Sequence, residues 1–133
     1  MVLTIAPTQS CNFACTYCFE KWRQSGALSN RTEDAIINYI KHLKQEDGLE
    51  SVNLTWYGGE PLLQYKRVIS LARRIDELGL KINENLLITN GYFFTPEVVE
   101  KLVEAKISEI QITLDRFRET HDIRRPLING KGT

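Results

Sequence analysis

Three cysteines near the N-terminus are the side chains of this sequence best suited to chemistry. Cys11, Cys15 and Cys18 follow the pattern C-x-x-x-C-x-x-C on what reads as a single loop. Thiolates at this spacing can ligate one iron-sulfur cluster, and three of them leave one iron open. An open coordination position lets a substrate or cofactor bind the metal directly, which is what separates a catalytic centre from a closed structural one.

Two other interpretations of these cysteines stay open. A zinc ion could take the three thiolates with a distant fourth ligand, such as His42 or His121. The cysteines could also be core side chains that bind no metal. Their odd number and close spacing argue against disulfides and for a reducing compartment, so we expect a cytoplasmic protein.

Three further groups of glycines and polar residues each follow an apolar run. They are Gly58, Gly59 and Glu60 after 52–57, Thr89 and Asn90 after 86–88, and Asp115 after 110–114. The first two groups could be ordinary turns between a strand and a helix. Glycine also lets a backbone approach a ligand closely, and an ionised carboxylate is a natural acceptor for an ammonium group. The second interpretation makes them candidate binding residues.

Strands alternating with helices must position these groups. Apolar runs predict strands at 2–6, 52–57, 86–89 and 110–114, and helical spacing predicts helices over 30–45, 68–78 and 95–103. Asn30 with Glu33 suits a capping box, and Val99, Leu102 and Val103 read as the inner face of the third helix. The chain beyond Asp115 reads as polar and irregular.

This order predicts right-handed crossovers and a parallel sheet covered by helices, an α/β fold. All the unusual residues then fall on one rim, at the carboxyl ends of the strands. Four strands cannot close a barrel, because small barrels have about eight. We therefore expect a partial (β/α) TIM-like barrel of four parallel strands and three helices, open because truncated, whose exposed edges favour self-association.

The composition narrows the partners. The chain has 133 residues, 42% of them hydrophobic, with 17 Lys plus Arg and 17 Asp plus Glu. This balance removes the general electrostatic reason for a nucleic acid or an anionic membrane as partner. No stretch approaches a membrane span of ~20 residues, and the first apolar run is too short for a signal peptide.

Together the motifs resemble those of the radical S-adenosylmethionine (SAM) superfamily. The resemblance rests on the cysteine loop, with aromatic Tyr17 before the third cysteine, and on Gly-Gly-Glu at 58–60. The runs 111–115, 121–126 and 130–133 resemble the peptide- and protein-modifying branch, which includes SPASM-type peptide maturases and anaerobic sulfatase-maturases. On this resemblance, residues 1–133 correspond to the first four of roughly six βα units, without later core strands or a C-terminal auxiliary-cluster domain.

The resemblance implies an activity and its cofactors. Cys11, Cys15 and Cys18 would hold a [4Fe-4S] cluster that cleaves SAM reductively to a 5′-deoxyadenosyl radical. That radical would abstract hydrogen from a peptide or protein, with electrons from a donor such as a flavodoxin or ferredoxin. The alternative is a non-catalytic metal-binding module, in which zinc or an iron-sulfur cluster serves structure or sensing.

The resemblance also implies binding roles. Tyr17 would lie near the adenine of SAM, the turn at 58–60 would meet the methionine ammonium, and Arg125 would meet the carboxylate. Thr89, Asn90 and Asp115 would add polar contacts at strand ends. No catalytic acid, base or radical-quenching residue is assigned, and Lys21, Trp22 and Arg23 read as surface residues.

One residue departs from the branch pattern. Arg116 stands where that branch usually has glycine. Glycine tolerates a positive φ and arginine mostly does not, so the departure puts the geometry of this turn in doubt.

Overall fold

The computed structural model describes residues 1–20 and 25–133, so Lys21, Trp22 and Arg23 lie outside the described residues. Four strands form one sheet: β1 (Val2–Ile5), β2 (Ser51–Trp56), β3 (Lys81–Thr89) and β4 (Glu109–Ile112). They pair in parallel in the order β1-β2-β3-β4. Neighbouring parallel strands need a crossover connection, which helices supply here. The predicted parallel sheet is confirmed.

The three crossover helices are α1 (Asn30–Glu46), α2 (Tyr65–Asp76) and α3 (Pro96–Glu104), with a 3-10 helix (Pro61–Gln64) before α2. A further helix, α4 (Arg118–Arg124), follows β4. The expectation of three helices and an irregular end was therefore wrong in this segment. Helix α4 is short and has no buried residue, so it leaves no apolar stripe in the sequence.

The starts of two helices test the capping predictions. Ser29, and not Asn30, caps α1, since its side chain accepts a hydrogen bond from a backbone N–H of the first turn. Glu33 is instead buried and pairs with Arg67 and Arg74 of α2. Thr95, the first residue of the third predicted helix, caps α3, since its Oγ1 accepts from Val98 N at 3.2 Å.

The inner face of α3 is displaced from its predicted position. Val98 and Leu102 are buried, whereas Val99 and Val103 are 42% and 67% exposed. The four apolar side chains of this helix allow two overlapping stripes, and packing against the sheet selects one of them.

The core lies between the sheet and helices α1, α2 and α3. Alternate residues of β2 are almost fully buried, among them Trp56, which is 1% exposed and whose Nε1 donates to Asn85 Oδ1 at 2.7 Å. All four residues of β4 are exposed by contrast. No described helix is long and apolar enough to span a membrane.

Candidate functional site

The carboxyl ends of the strands surround a cavity of about 250 Å³. Its lining contains every site residue suggested by the sequence except Asp115: Cys11, Cys15, Tyr17, Cys18, Gly58, Gly59, Glu60, Thr89, Asn90 and Arg125. These residues follow different strands but share one rim, because parallel strands end on the same side of a sheet. The structure thus brings together residues that are far apart along the chain.

The three cysteines are half-buried and form no disulfide. A second cavity of about 540 Å³, lined by Gln9, Ser10, Ala14 and Ser25 among others, also reaches all three. Burial raises the pKa of the Cys15 thiol, the Arg125 guanidinium opposes that rise, and the neighbouring thiols of Cys11 and Cys18 add to it. In the metal-free chain this favours neutral Cys15, so binding a metal there would release a proton.

The cysteine donor set fits an iron-sulfur cluster better than a single metal ion. Within the described part of the chain, no three His, Cys, Asp or Glu side chains converge closely enough for a single metal ion. A [4Fe-4S] cluster offers each thiolate a different iron, so its sulfurs need only surround one cavity. Three thiols on one loop, opening on shared cavities, fit such a cluster.

The two histidines considered for zinc lie elsewhere. His42 is on the exposed surface of α1, and His121 Nδ1 accepts a hydrogen bond from Asp115 N at 3.1 Å. Neither is among the described residues that line the two cysteine cavities. In this arrangement neither histidine supplies the fourth ligand of the zinc interpretation.

Gly58 and Gly59 bring the turn after β2 against the cysteine loop. Gly59 N donates to Thr8 O at 3.0 Å, and Glu60 N donates to Ser10 O at 2.8 Å. A Cβ on Gly58, whose φ is 119°, would lie 2.6 Å from Thr8 O, and a Cβ on Gly59 would overlap the Ser10 carbonyl. From the sequence we expect these glycines to let the backbone approach a ligand closely. In the fold they first permit the approach of two backbone segments.

Glu60 joins the ends of β2 and β3. Its side chain is buried, and Oε1 accepts from Leu62 N at 2.9 Å and from Thr89 Oγ1 at 2.6 Å. Oε2 accepts from Asn90 N at 2.8 Å. A carboxylate has about four acceptor positions, so the three donors of the chain leave about one for an ammonium group.

Asn90 contacts the cysteine loop directly. Its Nδ2 donates to Asn12 Oδ1 at 2.8 Å and lies 3.9 Å from Cys11 Sγ. Phe13 N also donates to Cys11 Sγ, at 3.4 Å. Hydrogen bonds to ligating sulfurs shift the potential of an iron-sulfur cluster, so these amides would influence a cluster held by Cys11.

The last residue of α4 and the segment after it pair with the cysteine loop along the backbone. Ala14 N donates to Pro126 O at 2.8 Å, and Thr16 N donates to Arg124 O at 2.9 Å. An isolated antiparallel bridge joins Phe13 to Leu127. The loop is therefore held from both sides, by the turn after β2 and by this segment.

Tyr17, Asp115 and Arg125 form a hydrogen-bonded chain beside the cavity. Arg125 Nη1 donates to Tyr17 Oη at 2.8 Å, and Tyr17 Oη lies 2.8 Å from Asp115 Oδ2. The Arg124 guanidinium lies 4.9 Å from the centre of the Tyr17 ring. Burial raises the pKa of Tyr17 and its bond to Asp115 raises it further, while Arg125 lowers it. Asp115 thus meets the site through Tyr17 and does not line the cavity.

The structure shows which backbone conformation Arg116 adopts in the turn after β4. Its φ is 49°, so the turn keeps the left-handed conformation that glycine would favour, with an arginine in it. For an L-residue this conformation costs roughly 1–2 kcal/mol. The side chain is exposed, and its guanidinium lies 5.8 Å from the Phe117 ring centre.

Four apolar or aromatic residues and two polar residues line the cavity without having been predicted as site residues. They are Phe13, Phe19, Tyr57 and Ile88, and Glu20 and Thr113. Most of them lie inside or directly beside the motifs. Their adjacency was the available signal, since a residue next to a strand-end motif belongs to the same rim.

Residues 5–133 match the family model described as the radical SAM superfamily. The chain belongs to the radical SAM superfamily. Curated relatives include an S-adenosylmethionine-dependent nucleotide dehydratase of a Fibrobacter species, 30% identical over 120 residues, which cover 88% of this chain and 34% of the relative. A GTP 3′,8-cyclase of Clostridium perfringens is 33% identical over 119 residues, covering 88% and 35%.

Solved structures of the superfamily share the fold. Native anSMEcpe with bound AdoMet and Cp18Cys peptide superposes with a TM-score of 0.76 and 27% identity, covering 99% of this chain and 36% of that one. The partial barrel is thereby confirmed, and the [4Fe-4S] cluster and SAM predicted as cofactors are those of the superfamily. The chain spans about a third of the length of the relatives and structures it matches.

Proposed function

We propose that this chain is the cofactor-binding part of a radical SAM enzyme, with Cys11, Cys15 and Cys18 as the ligands of a [4Fe-4S] cluster. The observation that carries the proposal is that these thiols share one cavity with polar residues from the ends of β2 and β3 and the segment after α4. When bound, the cluster and SAM supply reductive cleavage of SAM to a 5′-deoxyadenosyl radical, which abstracts a hydrogen atom.

The residues around the cysteines are assigned to the two charged ends of the methionine part of SAM. Arg125 lines the cavity, and Tyr17 Oη is the only hydrogen-bond acceptor of its side chain among the described residues, so its remaining guanidinium donors can meet the carboxylate. Glu60 has acceptor capacity left for the ammonium. The backbone at Gly58 and Gly59 lines the cavity between them.

Two polar residues of β3 complete the assignment. Thr89 and Asn90 line the same cavity, and both are tied to Glu60. We assign them to polar contacts with SAM, with Asn90 also beside Cys11. Asp115 is assigned an indirect part, since it contacts Tyr17.

For the whole protein we propose a core in which residues 1–133 supply the first four βα units. Strand β4 is paired on one edge with β3, and its four residues are exposed. A further strand on that edge would bury it, and self-association along the edge is the alternative. An electron carrier such as a flavodoxin or ferredoxin is the proposed source of the reducing electron.

As substrate we propose a peptide or protein. The support is the likeness to anSMEcpe structures described with bound Cp18Cys or Kp18Cys peptide. A nucleotide is the second candidate, because relatives at similar identity are named nucleotide dehydratase and GTP 3′,8-cyclase. Offering the reduced whole protein cysteine-containing peptides or GTP, and measuring 5′-deoxyadenosine with each, separates them. A peptide enzyme forms it in step with a mass change of the peptide.

Anaerobic reconstitution tests the core of the proposal. The parent should take up iron and sulfide, gain near-ultraviolet absorbance and change its electron paramagnetic resonance (EPR) spectrum when SAM is added. A triple Cys11→Ala, Cys15→Ala, Cys18→Ala variant should do none of these, whereas Thr16→Ala in the same loop should keep the metal. Equal iron content in the triple variant would show that the cysteines are not the ligands. Zinc uptake by the parent without any response to SAM would favour the non-catalytic module.

A further inference from the structure

The hydroxyl of Tyr17 connects three separate parts of the chain. Tyr17 comes from the cysteine loop, Asp115 follows β4, and Arg125 follows α4. A phenol has one proton to donate, and the guanidinium can only donate. The bond at 2.8 Å therefore runs from Arg125 to Tyr17, and the Tyr17 proton goes to Asp115, also at 2.8 Å. Both directions follow from chemistry, so the orientation of the hydroxyl is determined.

Arg125 has few other groups to hold it. It is 7% exposed, and Tyr17 Oη is the only hydrogen-bond acceptor for its side chain among the described residues. Its guanidinium lies 5.7 Å from the Phe13 ring centre, and its Nε is buried without a partner. A buried cation needs partners, so a guanidinium that lines the cavity with a single hydrogen bond among the described residues indicates an anionic group of a ligand.

The ring of Tyr17 is held as well as its hydroxyl. The Arg124 guanidinium stacks 4.9 Å from the ring centre, and Arg124 Nε lies 3.6 Å from Asp115 Oδ2. Thr16 N, next to Tyr17, donates to Arg124 O at 2.9 Å. The backbone, the ring and the hydroxyl of this residue are therefore all fastened to the segment that carries Arg125.

We propose that Tyr17 is a positioning residue, whose hydroxyl orients Arg125 so that the free donors of the guanidinium meet the carboxylate of SAM. This rests on the proposed function, and it gives the Tyr17 hydroxyl a role through another residue, beside the adenine contact predicted for the ring. Asp115 acts one step further out, because it holds the proton of the Tyr17 hydroxyl.

The test is a double-mutant cycle on SAM affinity, with Tyr17→Phe, Arg125→Lys and the double variant in the reconstituted whole protein. Iron content and the SAM-dependent EPR change are recorded for each protein. Tyr17→Phe keeps the ring and should weaken SAM binding about tenfold at unchanged iron content, the size expected for a lost hydrogen bond to a charged group. The double variant should bind no more weakly than Arg125→Lys alone, because the hydroxyl acts only through the guanidinium.

Tyr92→Phe is the matched control. Tyr92 is half-exposed, and its hydroxyl has no hydrogen bond among the described residues, so this variant should bind SAM as the parent does. If Arg125→Lys does not fold, Asp115→Ala takes its place in the cycle, since it acts on the same hydroxyl.

Each other outcome overturns the inference. Parent-like affinity in Tyr17→Phe, additive losses in the double variant, or iron loss in Tyr17→Phe would each show that the hydroxyl does not act by orienting Arg125. A parent that binds iron but no SAM would refute the proposed function itself, and the inference with it. Failure of the variants alone leaves the proposed function standing.

Discussion

The turns after β2 and β4 lie on the same rim and share a pattern, a carboxylate within two residues of a left-handed backbone position, but they are built differently. After β2 the left-handed residue is Gly58, and Glu60 is 1% exposed with three donors on its carboxylate. After β4 the left-handed residue is Arg116, which is exposed, and Asp115 is only half-buried. One turn is set into the core and the other lies on its surface.

The two sides of the proposed cofactor cavity are therefore held by different kinds of contact. The cysteine loop is held on one side by backbone hydrogen bonds to the turn after β2. That turn is itself fixed by the buried side chain of Glu60. On the other side of the loop, Tyr17 is held by Asp115 and by Arg125, which follows α4, a helix with no buried residue. Changes on the first side should disrupt the fold and the metal site together, and changes on the second should be milder.

The largest effect should come from Gly59→Val. A side chain there overlaps the Ser10 carbonyl, so the cysteine loop must move. We expect a loss of about 3 kcal/mol in unfolding free energy and much reduced iron uptake. Urea unfolding and iron analysis after reconstitution measure both. Gly26→Ala is the control, since a Cβ there meets nothing within 4 Å and φ is not left-handed. Full iron uptake by Gly59→Val would contradict the claim that the turn after β2 supports the cysteine loop.

A smaller effect is expected from Glu60→Gln. The amide keeps one acceptor oxygen and turns an NH₂ group toward donors of the chain, among them Asn90 N. The unfolding free energy should fall by about 2 kcal/mol, the cost of a buried donor left without its acceptor. Asp115→Asn, the equivalent change in the turn after β4, should cost less than about 1 kcal/mol because it is partly solvated. Equal losses of unfolding free energy in the two variants would contradict the interpretation that the cavity is more rigid beside β2 than beside β4.

The smallest effect is a gain, expected from Arg116→Gly. Glycine adopts the left-handed conformation without strain but has more freedom to lose on folding, so we expect a net stabilisation of about 0.5 kcal/mol. Arg116→Ala keeps the strain and should give no gain. Lys106→Gly is a second comparison, since Lys106 also has a positive φ of 57° but pairs with Asp76 at 2.7 Å. Thermal unfolding of the three variants decides, and a loss of stability in Arg116→Gly would mean that the arginine side chain supports the turn.

The four strands, the three crossover helices and the candidate residues of the rim could be predicted from the sequence. Alternating apolar residues in β2 and the helical spacing around Leu71 and Ile75 are local patterns that secondary structure repeats at fixed periods. The spacing of the cysteines is equally local, so their shared loop could be predicted. Helix α4 escaped because a short polar helix buries nothing and leaves no pattern.

The contacts of the motif residues could not be predicted from the sequence, because they depend on the tertiary structure. Gly59 is required by the Ser10 carbonyl, and Glu60 is held by donors at the end of β3, neither of which follows from the Gly-Gly-Glu pattern. The partners of Tyr17 lie 98 and 108 residues further along the chain. Such contacts depend on how the strands and their connections pack in space, and a periodicity confined to a few neighbouring residues carries no information about them.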